Sequence, residues 1–177
     1  MPPIAIFDPT KVDFSNLIYD IPAIESFLPH RHGMRMVDGI VHVDRKEHIC
    51  VGYKDCRNDE FWVPGHMPGY PILPGVLMLE AAAQLSSIYT KTHGILGDEL
   101  LGLGGIDRSR FRSAVRPGDR LMLAGKGLRV DRRLTQFTVQ GYVGTTLVFE
   151  AEVMGVPIPG KERVRVPSGG DTSKVGG

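Results

Sequence analysis

From Pro74 to about Lys91 the chain carries Val76, Leu77, Met78, Leu79, Ala81, Ala82, Ala83, Leu85 and Ile88, which a helical period spreads over every side rather than one stripe. A helix apolar all round has to be enclosed, so the rest of the chain must supply something that wraps it. Pro74 suits the helix start, because the N–H it lacks would be unpaired there anyway.

The remaining segments read mainly as strands. One is expected over Met34 to Val43, and a second over His48 to Lys54 with Ile49, Val51 and Tyr53 on one face; Asp44 to Glu47 is the charged turn between them. Four more follow the helix, near Leu100 to Ile106, Arg120 to Val130, Leu134 to Val143 and Thr146 to Met154, separated by turn material such as RPGD, DRR and GT. The order is α+β: two strands, one enclosed helix, then an antiparallel meander, with enough strands to curl about the helix. Residues 1–20 are proline-punctuated and read as an irregular arm. From Ile21, with Pro22 as a start signal, one or two helical turns are expected to end before Pro29. Residues 21–154 then form a single domain, and the Pro-, Gly- and Ser-rich residues 155–177 a flexible tail.

Composition narrows the function. Lysine plus arginine number 21 against 20 acidic residues, a formal net charge of +1, which argues against a nucleic-acid binder driven by bulk charge. Cys50 and Cys56 lack a CxxC spacing and read as reduced thiols of a cytoplasmic protein. The first residues have no basic leader, and the uncharged run Phe61 to Leu79 holds four prolines and three glycines, unlike a membrane span.

Two residues stand out chemically. Glu80 is the only formally charged residue between Phe61 and Thr90, near the start of the most apolar helix. It must either find partners, an arginine or Gln84 one turn on, or have its pKa raised until it holds a proton near neutrality and can act as a general acid. His66 sits in PGHMPG, a loop of tight turns, as the only group titrating near neutral pH in a long uncharged segment. Such a histidine can be structural, or its neutral ring can take a proton from a carbon acid. His30 and His32 form an HxH pair with no third ligand nearby, so no metal is expected, and no cofactor.

The segment GHMPGYPILPGVLMLEAAAQ closely resembles the signature of the beta-hydroxyacyl-acyl-carrier-protein dehydratases, in which a GHFPG-type loop precedes a PGVL...EA.AQ helix. FLPHRHGMRMVDGI and GIDRSRFRSAVRPGDRL resemble two further blocks of that family, so the resemblance runs from about Ile21 to Met154. Met67 stands where the family has phenylalanine, and HGMR at His32 to Arg35 replaces a more aromatic and aliphatic stretch. The resemblance implies a hotdog fold and a homodimer at least, open to further assembly as a trimer of dimers. It places His66 on the family's catalytic histidine and Glu80 on its catalytic acid, the two meeting across the dimer interface. A glutamate there points to the non-isomerising branch.

The implied reaction is dehydration of a 3-hydroxyacyl thioester carried on the phosphopantetheine of acyl carrier protein, in fatty-acid biosynthesis. His66 would remove the alpha proton and Glu80 would protonate the departing hydroxyl, while the free N–H groups of Gly75 and Val76 at the helix start steady charge on the carbonyl oxygen. Arg108, Arg110 and Arg112 alternate, so an extended segment points all three to one side. They serve either as a charged strand edge or as a dock for the acidic carrier protein. Two other functions stay open at this point: a hotdog thioesterase, which has no use for a carbon base in the loop, and a noncatalytic carrier-binding module.

Overall fold

In the computed structural model, which describes residues 3–158, one antiparallel sheet of six strands encloses a single long helix. A short helix α1 (Ile21–Phe27) comes first, capped by Asp20, whose side chain accepts the Ala23 N–H at 3.0 Å; it stops before Pro29, which disfavours helical backbone in the residue ahead of it. Strands β1 (Gly39–Asp44) and β2 (Ile49–Asp55) follow, then helix α2 (Gly75–Thr92). Strands β3 (Leu100–Phe111), β4 (Arg120–Val130), β5 (Thr135–Val143) and β6 (Thr146–Ile158) complete the chain. The spatial order is β1-β2-β4-β5-β6-β3, so β1 and β3 are the two edges.

Helix α2 fills the concave side. Met78, Ala81, Ala82, Leu85, Ile88 and Tyr89 are buried against Met36, Ile40, Cys50, Leu121, Leu123, Phe137, Val139 and Phe149. Removing one such leucine from water is worth roughly 1.5–3 kcal/mol. Leu85 approaches the sheet closely because Gly52 and Gly125 lie beneath it: a Cβ on either would stand 3.1 Å from a Leu85 methyl. The buried hydroxyls of Ser86 and Thr90 donate back to the carbonyls of Ala82 and Ser86, so they enter the core with their donors used.

The opposite face of the sheet carries a second apolar cluster of Val41, Val51, Tyr53, Met122, Ala124 and Tyr142, and the arm lies across it through Ile6, Phe7, Val12 and Phe14. Buried Gln140 fastens the arm, accepting from Ile6 N at 2.8 Å and donating to Ile4 O at 3.0 Å. Tyr19 then bridges to Ile40 along the β1 edge.

Three element boundaries differ from the sequence reading. The first strand begins at Gly39, not near Met34, because His32–Met34 form a 3-10 turn and the Gln84 side chain takes the Met34 carbonyl and the Met36 amide, leaving neither for a strand ladder. Strand β3 runs five residues beyond Ile106, to Phe111, because it stays paired with β6 across two register shifts. Strand β6 continues to Ile158, so residues 155–158, read from sequence as tail, pair with β3; residues 159–177 lie outside the described residues.

Candidate active site

The loop after β2 is anchored from below. Glu60, almost wholly buried, accepts from Lys54 Nζ at 2.8 Å, from the Arg57 N–H at 3.1 Å and from the Trp62 indole at 3.2 Å. The Trp62 carbonyl in turn accepts the N–H of His66 at 2.8 Å. The His66 carbonyl accepts from Ile72 N at 3.0 Å, and its ring Nδ1 lies 2.8 Å from the Ile72 carbonyl. A carbonyl can only accept, so in the neutral ring Nδ1 carries the hydrogen and Nε2 keeps its lone pair.

His66 lines a cavity of about 440 Å³ with Leu73, Gly75, Met78, Phe111 and Arg112. A Cβ on Gly75 would stand 3.0 Å from the Phe111 ring, so glycine lets the helix start sit against that strand. Pro74 gives α2 no side-chain cap. The amides of Gly75 and Val76 have no hydrogen-bond partner among the described residues, as the first turn of a helix leaves them, and Val76 is exposed. The cavity therefore places a ring nitrogen lone pair beside the positive end of a helix dipole.

Glu80 occupies a different place. Its Oε1 accepts from Gln84 Nε2 at 2.7 Å and lies 3.4 Å from Nε2 of His30. Gln84 is itself fixed: it accepts the Met36 N–H at 2.9 Å and donates to the Met34 carbonyl at 2.7 Å. Of the partners weighed from sequence, it is Gln84, not an arginine, that holds Glu80. Among the described residues His66 and Glu80 form neither a hydrogen bond nor an ion pair within one chain.

Register shifts between Asp107 and Arg110, with Arg108 at φ 50°, interrupt the strand alternation, yet all three arginines reach the face of β6 that carries Glu150 and Glu152. Arg108 and Arg110 line a cavity of about 340 Å³ with Thr138, Glu150 and Glu152, whereas Arg112 lines the His66 cavity. Arg108 pairs with Glu152 at 3.0 Å and Arg112 with Glu150, while Arg110 has no ion pair among the described residues. Burial pushes the free thiols of Cys50 and Cys56 up to about 12. No cluster able to hold a metal ion is found among the described residues, and none of their helices is long and apolar enough to cross a membrane.

Sequence reasoning missed His30 as a neighbour of Glu80, since it paired that ring with His32. It also missed the buried Lys54 and Glu60 beneath the loop. The spacing of Gln84 one turn beyond Glu80 was the one local signal for the cluster.

Comparison with known proteins agrees with the fold and narrows the family. The FabA-like domain family matches residues 28–152. A 3-hydroxyacyl-[acyl-carrier-protein] dehydratase FabZ from Desulforamulus reducens is 37% identical over 76% of this chain and 94% of its own length. The enzyme of the same name from Mannheimia succiniciproducens is 40% identical over 77% and 91%. Among solved structures, the dehydratase heterocomplex ApeI:P of Xenorhabdus doucetiae superposes with a TM-score of 0.67 at 18% identity, over 77% of this chain and 91% of that one, a likeness of fold alone. On the length and level of these matches, the chain is a hotdog protein that belongs to the FabA-like family, beside the FabZ dehydratases.

Proposed function

We propose that the chain dehydrates 3-hydroxyacyl thioesters carried on acyl carrier protein in fatty-acid synthesis, with His66 as base and Glu80 as acid in a site shared by two copies. The observation that carries the reading is the bond from His66 Nδ1 to the Ile72 carbonyl, which leaves the Nε2 lone pair free on a ring that lines a cavity at the open N-terminus of α2.

Nε2 removes the proton alpha to the thioester carbonyl, and the electron pair forms the new double bond toward the beta carbon. Charge that gathers on the carbonyl oxygen meets the unpartnered amides of Gly75 and Val76. Glu80 Oε2 gives its proton to the beta hydroxyl, which leaves as water with the electrons of the C–O bond. Hydration of the enoyl product runs the same steps backwards.

Two features support a shared site. Among the described residues His66 bonds Ile72 and lines the Phe111 cavity while Glu80 bonds Gln84 and neighbours His30, with no hydrogen bond or ion pair between the two within one chain. Strand β3 offers an unpaired edge of 12 residues with Leu103 and Phe111 exposed, a surface suited to the same strand of a second copy. Trimers of such dimers would be a further step. Arg108 and Arg110, with Arg112 at the cavity wall, form the basic side toward which an acidic carrier protein would deliver its phosphopantetheine arm.

Hydration of crotonyl-carrier protein tests the reading. The wild type should add water, and His66→Ala should lose that activity by roughly 100-fold or more, the scale of a general base. Thiol release without hydration would make the chain a thioesterase, and carrier binding without either reaction would make it a binding module; both overturn the proposal.

A further inference from the structure

We propose that His30 is a positioning residue for the acid at Glu80, an inference that rests on the function proposed above. His30 follows Pro29 at the end of α1, and its ring reaches across to α2. Among the described residues it is the only basic side chain within 4 Å of the Glu80 carboxyl. The arginine next to His30 is engaged elsewhere: the Arg31 guanidinium donates to the carbonyls of Leu28, His30 and Glu25.

Geometry divides the work of the two carboxyl oxygens. Gln84 donates to Oε1 at 2.7 Å, and His30 Nε2 faces the same oxygen at 3.4 Å. With the Gln84 amide donating to Oε1, Oε2 is the oxygen left free for substrate and the one from which the proposed acid acts. When Oε2 gives up that proton, the new carboxylate already has an amide N–H bonded to it and the His30 ring nitrogen beside it. The ring contact is longer than a formed hydrogen bond, and contacts of this kind tighten as charge develops.

His30 Nδ1 strengthens the case. Among the described residues it is buried with no hydrogen-bond partner, an arrangement that costs stability and that an apolar side chain of the same size would avoid. A ring present for packing alone needs no nitrogen there. The neutral form that donates from Nε2 leaves Nδ1 a bare acceptor and so avoids burying an unpaired N–H.

His30→Met and His30→Gln test the idea on the full chain, since the two side chains are close in shape and only glutamine places a donor where Nε2 stood. In crotonyl-thioester hydration, kcat of His30→Met should fall on the order of 10- to 100-fold, with KM within about twofold, the split expected when an interaction serves the transition state and not binding. His30→Gln should recover most of that loss at a matching melting temperature. Equal kcat in both variants, whether high or low, overturns the proposal, as does unfolding of His30→Met alone, which would assign the ring to stability. Wild type and Glu80→Gln run beside them separate the two levels. An inactive wild type or an undiminished Glu80→Gln removes the underlying function, and this inference with it. An active wild type, a crippled Glu80→Gln and an unaffected His30→Met remove only the role of His30.

Discussion

Lys54 Nζ donates to Glu60 Oε1 at 2.8 Å with both side chains almost wholly withdrawn from solvent, and Asp38 Oδ2 stands 3.9 Å from the same ammonium. The pair lies under the loop that carries His66. Removing one member of such a pair leaves an uncompensated buried charge, so Lys54→Met should destabilise the fold by about 3–5 kcal/mol, read from urea unfolding. Adding Glu60→Gln should restore part of it, because it removes the orphaned charge while the glutamine oxygen still accepts from either the Arg57 amide or the Trp62 indole, which bond different oxygens of Glu60. An unchanged midpoint in the single variant would show that the ammonium is not needed there.

His93 closes α2, with Nδ1 2.7 Å from the Tyr89 carbonyl, its ring stacked on that of Tyr89 and Nε2 buried without a partner among the described residues. Burial holds its pKa below the ordinary 6.5; the Tyr89 carbonyl opposes that shift, and the Arg45 and His48 charges add to it. The unfolded chain therefore takes up this proton first as the pH drops. The contribution to stability is whole above 6.5, declines as the pH falls through that value, and stops changing below the native pKa. Chemical unfolding between pH 8 and pH 5 should show His93→Phe losing less stability with acid than the wild type. An identical slope would remove His93 from the acid response.

The arm covers an apolar patch that would otherwise face water. Deleting residues 1–14 should raise binding of a hydrophobic dye and bring concentration-dependent association in light scattering, since exposed patches of this kind seek partners. Gln140→Leu, which removes both arm hydrogen bonds, should move the same way to a smaller extent. A truncated chain that scatters like the wild type would mean that the arm only lies over the patch.

Charge reversal should separate the arginines by cavity. Arg110→Glu should weaken use of the carrier-protein thioester more than use of a small thioester, because Arg110 stands apart from His66. Arg112→Glu should impair both, since Arg112 lines the His66 cavity and would also be set against Glu150. Steady-state rates with the two substrates decide it, and equal losses for Arg110→Glu would count against docking at that face.

Helix α2 was legible because its apolar residues leave no polar stripe, a property that needs no knowledge of neighbours. The first strand was drawn too long because Gln84, some fifty residues away, captures backbone groups that a local pattern assigns to a ladder. Strand β3 was drawn too short because its charged second half, IDRSRF, reads as loop until β6 is laid beside it. His66 and Glu80 were visible as isolated chemistry in an uncharged stretch. The contact from His30 to Glu80 was not, because fifty intervening residues and a fold separate the two in sequence.

The central claim, one site built from two chains, is tested most directly by mixing. His66→Ala and Glu80→Gln chains are each expected to fold and to hydrate crotonyl-carrier protein poorly. Unfolded together and refolded, they should form hybrid dimers with one intact pair, restoring roughly a quarter of the wild-type rate at equal proportions, the statistical share for a two-fold assembly. A mixture no more active than its separate components, with hybrids verified by a tag on one chain, would contradict a shared site.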